Sequence, residues 1–135
     1  MTGVQTCALP IYVSLQKSNA SAITVDTTVA TPLFALHSDT GSSATDNITS
    51  DGVVNVTLAS DVASWQYSTN GGTSWSTGSG SSFTLSEATY AIGKILIEQT
   101  DTAGNVSTQK ANESAITVDT TVATPSFVQI GRAHV

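Results

Sequence analysis

The chain of 135 residues carries ten acidic side chains against four basic ones, a formal net charge of −6, and a single cysteine. That balance lacks the basic stripe a nucleic-acid partner requires, no apolar run is long enough to span a bilayer as a helix, and one cysteine cannot build an internal disulfide framework. Ser and Thr make up roughly three residues in ten, yet Val, Ile, Leu, Trp and Tyr recur at regular spacing, a pattern of strands with polar outer faces and not of disorder.

In chain order, the first element does not resemble the interior. Thr6 to Ile11 can be encoded by ACG-TGT-GCT-CTT-CCG-ATC, and the reverse complement of that DNA, read one base on, encodes the last six residues, Ile130 to Val135. A fragment with the same adapter at each end has this property, so residues 1–12 and 129–135 are expected to be translated sequencing adapter, to be set aside as processing scars are. Cys7 is then neither a reactive thiol nor a lipid anchor, and the apolar run from Leu9 to Val13 is not part of a signal peptide. Met1, Pro10, Arg132 and His134 are set aside with them. All ten acidic residues stay in the remainder, against Lys17, Lys94 and Lys110.

VSLQKSNASAITVDTTVATP, starting at Val13, returns 93 residues later as VSTQKANESAITVDTTVATP, starting at Val106. A repeat of that length and fidelity marks a tandem array of beads the size of a small β-sandwich. Residues 13–25 therefore read as the last strand of a preceding unit, 26–119 as one complete unit, and 120–128 as the start of the next. Within the complete unit, Pro32 favours an extended entry to a short strand around Phe34 and Leu36, followed by the loop HSDTGSSATDNITSDG. VVNVTLA then puts Val54, Val56 and Leu58 on one face and Asn55 and Thr57 on the other.

WQYS places Trp65 and Tyr67 on a shared face, and the Asn-Gly-Gly that follows is a hairpin signal because those residues accept positive φ. Trp75 sits on the return strand. FTLS pairs Phe83 with Leu85, and KILIEQT points Ile95 and Ile97 inward and Lys94, Leu96 and Glu98 outward. DTAGN makes the last hairpin and VSTQKANESAITV closes the unit. The reading is all-β: an immunoglobulin-like β-sandwich of about seven antiparallel strands, with Trp65 in its core and Tyr90 as a candidate corner tyrosine. Because 13–25 and 106–118 are nearly the same strand, both suit the edge beside KILIEQT. The second copy is expected to take it, being joined by the short hairpin at small loop-closure cost.

No catalytic constellation can be assembled: the interior has one histidine, His37, read as solvent-exposed, no cysteine, and no serine in a nucleophile-elbow pattern. The chain is not read as an enzyme. The carboxylates are more telling, because sandwich topology groups them. Asp39, Asp46 and Asp51 fall at the exit pole with Asp119 of the departing linker, while Asp101 and Asn105 fall at the entry pole with Asp26 of the arriving one. Stacking one unit on the next sets the two clusters against each other, where they repel unless a cation joins them, and Ca²⁺ accepts six to eight such oxygens in loose geometry. Asp61, alone in its loop, is read as a turn former.

Together, ITVDTTVATP, SDTGSSATDNITSDG, WQYSTNGGTSW, GSSFTLSEATYAIG and QTDTAGNVS resemble the bacterial immunoglobulin-like repeats of large biofilm-associated adhesins exported by type I secretion. The resemblance runs from Val13 to Val128. It implies an extracellular stalk on the bacterial cell surface, neighbouring repeats of the same chain as partners, host or biofilm surface ligands met by other domains, no membrane insertion, and calcium at unit junctions. Glu98 stands where that family commonly has a basic residue. The alternative reading is a carbohydrate- or protein-binding module of a secreted protein.

Overall fold

The computed structural model describes residues 2–5, 14–128 and 131; Met1, Cys7, Pro10, Arg132 and His134 lie outside the described residues. Its strands are β1 (Leu33–Leu36), β2 (Ile48–Thr49), β3 (Val53–Thr57), β4 (Val62–Ser68), β5 (Ser76–Thr77), β6 (Ser82–Thr84), β7 (Ala88–Tyr90), β8 (Leu96–Asp101), β9 (Lys110–Ala111) and β10 (Ile116–Val118). The fold is an all-β sandwich. One face is β1-β3-β6, the other β5-β4-β8-β9, and β2-β10-β7 forms a small third sheet. No helix among the described residues is long and apolar enough to cross a membrane.

Period-two alternation decides what is buried. Val54, Val56, Phe83, Leu85, Trp65, Ile95, Ile97, Ile116 and Val118 form one core, with Phe34, Leu36, Leu58, Tyr67 and Tyr90 packed against it. Tyr67 stacks on Phe83 at 4.1 Å between ring centroids, and Trp65 lies 6.2 Å from Phe83. The Trp65 indole N–H donates to Gly80 O (3.0 Å), so the ring is buried without stranding its one polar atom. A Cβ on Gly78 would fall 2.1 Å from that ring, which is why glycine stands where the return strand passes beneath it.

The β4–β5 turn is built as its Asn-Gly-Gly suggests. Gly71 and Gly72 take φ of +73° and +85°, and the buried Ser68 hydroxyl accepts from Gly72 N (2.9 Å) while donating to Asn70 Oδ1 (2.9 Å). The Tyr90 hydroxyl donates to Ser86 O, the backbone partner expected of a corner tyrosine.

Besides the added strand β7, which pairs with β10, two features depart from a seven-strand reading. The closing strand is broken: β9 pairs with β8, and β10 then crosses to lie antiparallel to β7 and parallel to β2. Asn112 causes the break. Its buried carboxamide accepts from Ile95 N (2.9 Å) and donates to Ala91 O (2.9 Å) and Ser114 O (2.8 Å), taking over the pairing that backbone would supply in an unbroken strand. The second departure is β2 itself, two residues inside a loop dense in Ser, Asp and Asn. It is fixed by Thr49, whose buried hydroxyl donates to Ser38 O (2.8 Å). Residues 14–25, the other copy of the closing strand, form no strand and are exposed, while Lys110–Ala111 occupies the edge beside β8.

Candidate metal centre

The hairpin after β8 turns at Gly104, with φ +92°. Its first residue, Asp101, is 2% exposed. Asp101 Oδ1 accepts from Asn105 N (2.8 Å) and Oδ2 from Asn105 Nδ2 (2.8 Å). These bonds, the Asn105 side chain's first, hold the Asp101 carboxyl below its ordinary value of 3.8, so it is a carboxylate at neutral pH. Antiparallel pairing sets Val62 opposite Asp101, which brings the preceding residue, Asp61, to the same place, its carbonyl accepting from Thr102 N (3.0 Å). Asp26 completes the group, since Asn105 Nδ2 also donates to Asp26 O (3.1 Å).

Carboxylate oxygens of Asp26, Asp61 and Asp101 lie within 4.8 Å of one another. Like charges about 4 Å apart cost ~1 kcal/mol per pair in bulk water and ~4 kcal/mol where the effective dielectric constant is near 20. An all-oxygen set of this kind, with one member buried, one half-buried and one exposed, fits a hard cation such as Ca²⁺ and offers nothing to a soft one. Sequence reasoning grouped Asp26, Asp101 and Asn105 but read Asp61 as a turn former. No local signal distinguishes Asp61, and only the β4–β8 register shows where it lands.

The exit pole is organised differently. Asp119 N donates to Thr49 O (2.9 Å), which brings the departing linker beside the loop as topology requires. Yet among the described residues Asp39, Asp46, Asp51 and Asp119 form no converging group of ligand atoms. Each holds backbone instead: Asp39 accepts from Asn47 N (2.9 Å), Asp46 from Ile48 N (3.1 Å), Asp51 from Val53 N (3.0 Å) and Asp119 from Thr121 N (3.1 Å). Three of these are the Asx-turn bond two residues on. Asp39 Oδ1 is buried with no hydrogen-bond partner.

His37 is largely solvent-exposed, with Nδ1 2.7 Å from Asp51 Oδ2. That bond, followed by the one from Val53 N, holds the Asp51 carboxyl below 3.8. A carboxyl whose folded value is depressed contributes stability above its unfolded value, and that contribution is lost as pH falls through the lowered one. Unfolding free energy is therefore expected to fall as the solution is taken from pH 5 toward pH 2, and less steeply in Asp51→Asn. An unchanged slope in denaturant titrations across this range would contradict it.

The segment that precedes β1 is docked on the body of the fold. Gln99, 1% exposed, donates from Nε2 to Ala30 O (2.7 Å) and accepts at Oε1 from Ala59 N (3.0 Å), and Pro32 is buried. No protein-family model matches this chain, and no curated protein matches it either.

Proposed function

We propose that the unit is a structural spacer in the stalk of an extracellular bacterial surface adhesin, serving cell adhesion and biofilm formation, with junctions stiffened by Ca²⁺. One observation carries the reading: the heptapeptide DTTVATP occurs at both ends of the unit and is used differently at each. At residues 26–32 it is pinned through Asp26 O, Ala30 O and Pro32 to the unit that follows it. At residues 119–125 it leaves directly from β10, with Asp119 N held by Thr49 of the unit that precedes it.

Joined in an array, one heptapeptide does both, and its aspartate belongs to two units at once. Its backbone is tied to the exit pole of one, and its side chain completes the Asp61 and Asp101 pair of the next. A cation there would oppose bending of the seam. Extracellular modules bind calcium with Kd of order 10⁻⁴ to 10⁻³ M, so ~10 mM calcium is expected to stabilise the fold by about 1.4 kcal/mol at the weaker end of that range, and Asp61→Asn is expected to abolish the gain. Small-angle scattering on a chain of several units tests the stiffening: a more extended, less flexible array with calcium than with chelator supports it, and equal flexibility refutes it. The burial of Trp65 and the bonding of its indole N–H leave that residue no exposed face for stacking a sugar, which removes one of the two tryptophans on which a carbohydrate-binding module could rest, Trp75 being the other.

A further inference from the structure

We infer that Asn70 is a self-modifying site: the backbone nitrogen that follows it converts its carboxamide to aspartyl and isoaspartyl forms when the β4–β5 turn opens, and the folded turn holds that reaction off. Asn70–Gly71 is the one Asn-Gly pair in the chain, whereas Asn19, Asn47, Asn55, Asn105 and Asn112 are followed by Ala, Ile, Val, Val and Glu. Glycine has no Cβ to crowd the attacking nitrogen, and its backbone turns freely into the geometry of attack.

The chemistry needs only water. Gly71 N gives up its proton to solvent and attacks Asn70 Cγ. The N–Cγ bond forms, the Cγ–Nδ2 bond breaks, and Nδ2 takes a proton from solvent and leaves as ammonia. Water then opens the resulting five-membered imide. Attack at Cγ gives aspartate, and attack at the main-chain carbonyl carbon of residue 70 routes the chain through the side chain as isoaspartate. One water is consumed and one ammonia released, with nothing oxidised or reduced.

In the folded turn every reacting atom is held elsewhere. Gly71 N donates to Lys94 O (2.9 Å), so an electron pair exposed by losing that proton would face a carbonyl oxygen and not Cγ. Asn70 Oδ1 accepts from Ser68 Oγ (2.9 Å) and Ser74 N (3.0 Å), while Nδ2 donates to Ser74 Oγ (2.8 Å). Turning Cγ toward Gly71 N breaks all three bonds. Two donors on Oδ1 draw electrons from Cγ, so it is position and not electronics that protects the carboxamide. The anchor is deep: Ser68 is 2% exposed and its hydroxyl also accepts from Asn70 N (3.3 Å) and Gly72 N (2.9 Å). Asn70 itself is exposed, so water reaches it once the turn lets go. Its rate of conversion therefore follows the open fraction of the turn, as hydrogen exchange and proteolysis follow local opening.

The two products differ in what they can rebuild. An aspartyl side chain keeps an acceptor for Ser68 and Ser74, and the Ser74 hydroxyl need only reverse its bond. An isoaspartyl residue lengthens the main chain by one carbon, so the bonds to Lys94 O and to Ser74 no longer form together. A molecule that stays open long enough is thus marked for good.

The test incubates the full chain in buffer and in guanidinium chloride sufficient to unfold it, at the same mildly alkaline pH, and maps asparagine, aspartate and isoaspartate by peptide mass analysis. Conversion at residue 70 is expected to be about a hundredfold or more faster in the unfolded chain than in the folded one. In the unfolded chain it is expected to outrun every other asparagine. Ser68→Ala is expected to raise the folded rate about tenfold or more, and Ser74→Ala, at an exposed hydroxyl that leaves the core untouched, to raise it a few fold. On return to buffer, Asn70→Asp is expected to regain its native tryptophan fluorescence and isoaspartyl chains to fail to do so. A folded rate within about threefold of the unfolded one, no preference for residue 70 in the unfolded chain, a folded rate unmoved by both serine variants, or isoaspartyl chains that refold as well as Asn70→Asp would each overturn the proposal.

Discussion

Trp65→Ala is expected to lower the unfolding free energy by about 3–5 kcal/mol, a large share of the ~5–15 kcal/mol that holds a domain of this kind folded. The indole is 5% exposed, packs beside the stacked Tyr67 and Phe83 rings, and covers the backbone at Gly78. Removing it opens a cavity and orphans the acceptor at Gly80. Gly78→Ala attacks the same contact from the other side: its methyl would enter the ring's volume, and expelling the ring is expected to cost about 1–3 kcal/mol or somewhat more. The two losses share one cause and should not add. In Trp65→Ala the space above residue 78 is already free, so the double variant is expected to be no less stable than Trp65→Ala alone. Urea titrations of the four proteins measure the coupling; additive losses would mean that the ring does not lie where described.

Asn112→Ala is expected to cost about 2–3 kcal/mol, chiefly because Ile95, a fully buried residue, loses the partner of its N–H. The internal repeat supplies its own control. Asn19 stands in nearly the same local sequence but is exposed, so Asn19→Ala is expected to change stability by less than about 0.5 kcal/mol. Equal losses at the two sites would contradict the assignment of the second copy to the slot. A leucine at 112 tests the explanation further: it restores bulk but no acceptor, and is expected to recover little.

The core was legible because alternation is a property of the strand itself. Val54 and Val56, Phe83 and Leu85, Ile95 and Ile97 are each buried as their spacing implies, and the Asn-Gly-Gly and Asp-Thr-Ala-Gly-Asn turns follow from residues that accept positive φ. What escaped the sequence depends on partners distant along the chain. Ile48–Thr49 is a strand only because β10 lies parallel beside it. Ala88–Tyr90 is mostly exposed and gains its identity from Ile116–Val118. Asn112, in a Ser- and Asn-rich stretch, gives no hint that its side chain will stand in for backbone. Asp61 is the instructive miss at the candidate site, because its neighbours in sequence are unremarkable and its neighbour in space, Asp101, is known only once strand register is fixed. The exit-pole aspartates do not converge on one another within this chain, because each side chain is engaged in shaping its own loop.

The central claim is that one heptapeptide is held by two units at once, and backbone relaxation across residues 119–125 in a calcium-loaded chain of two units tests it most directly. Order parameters near 0.85, equal to those of the flanking strands, are the predicted result. Values below about 0.6 through that heptapeptide, as for a flexible tether, would contradict it.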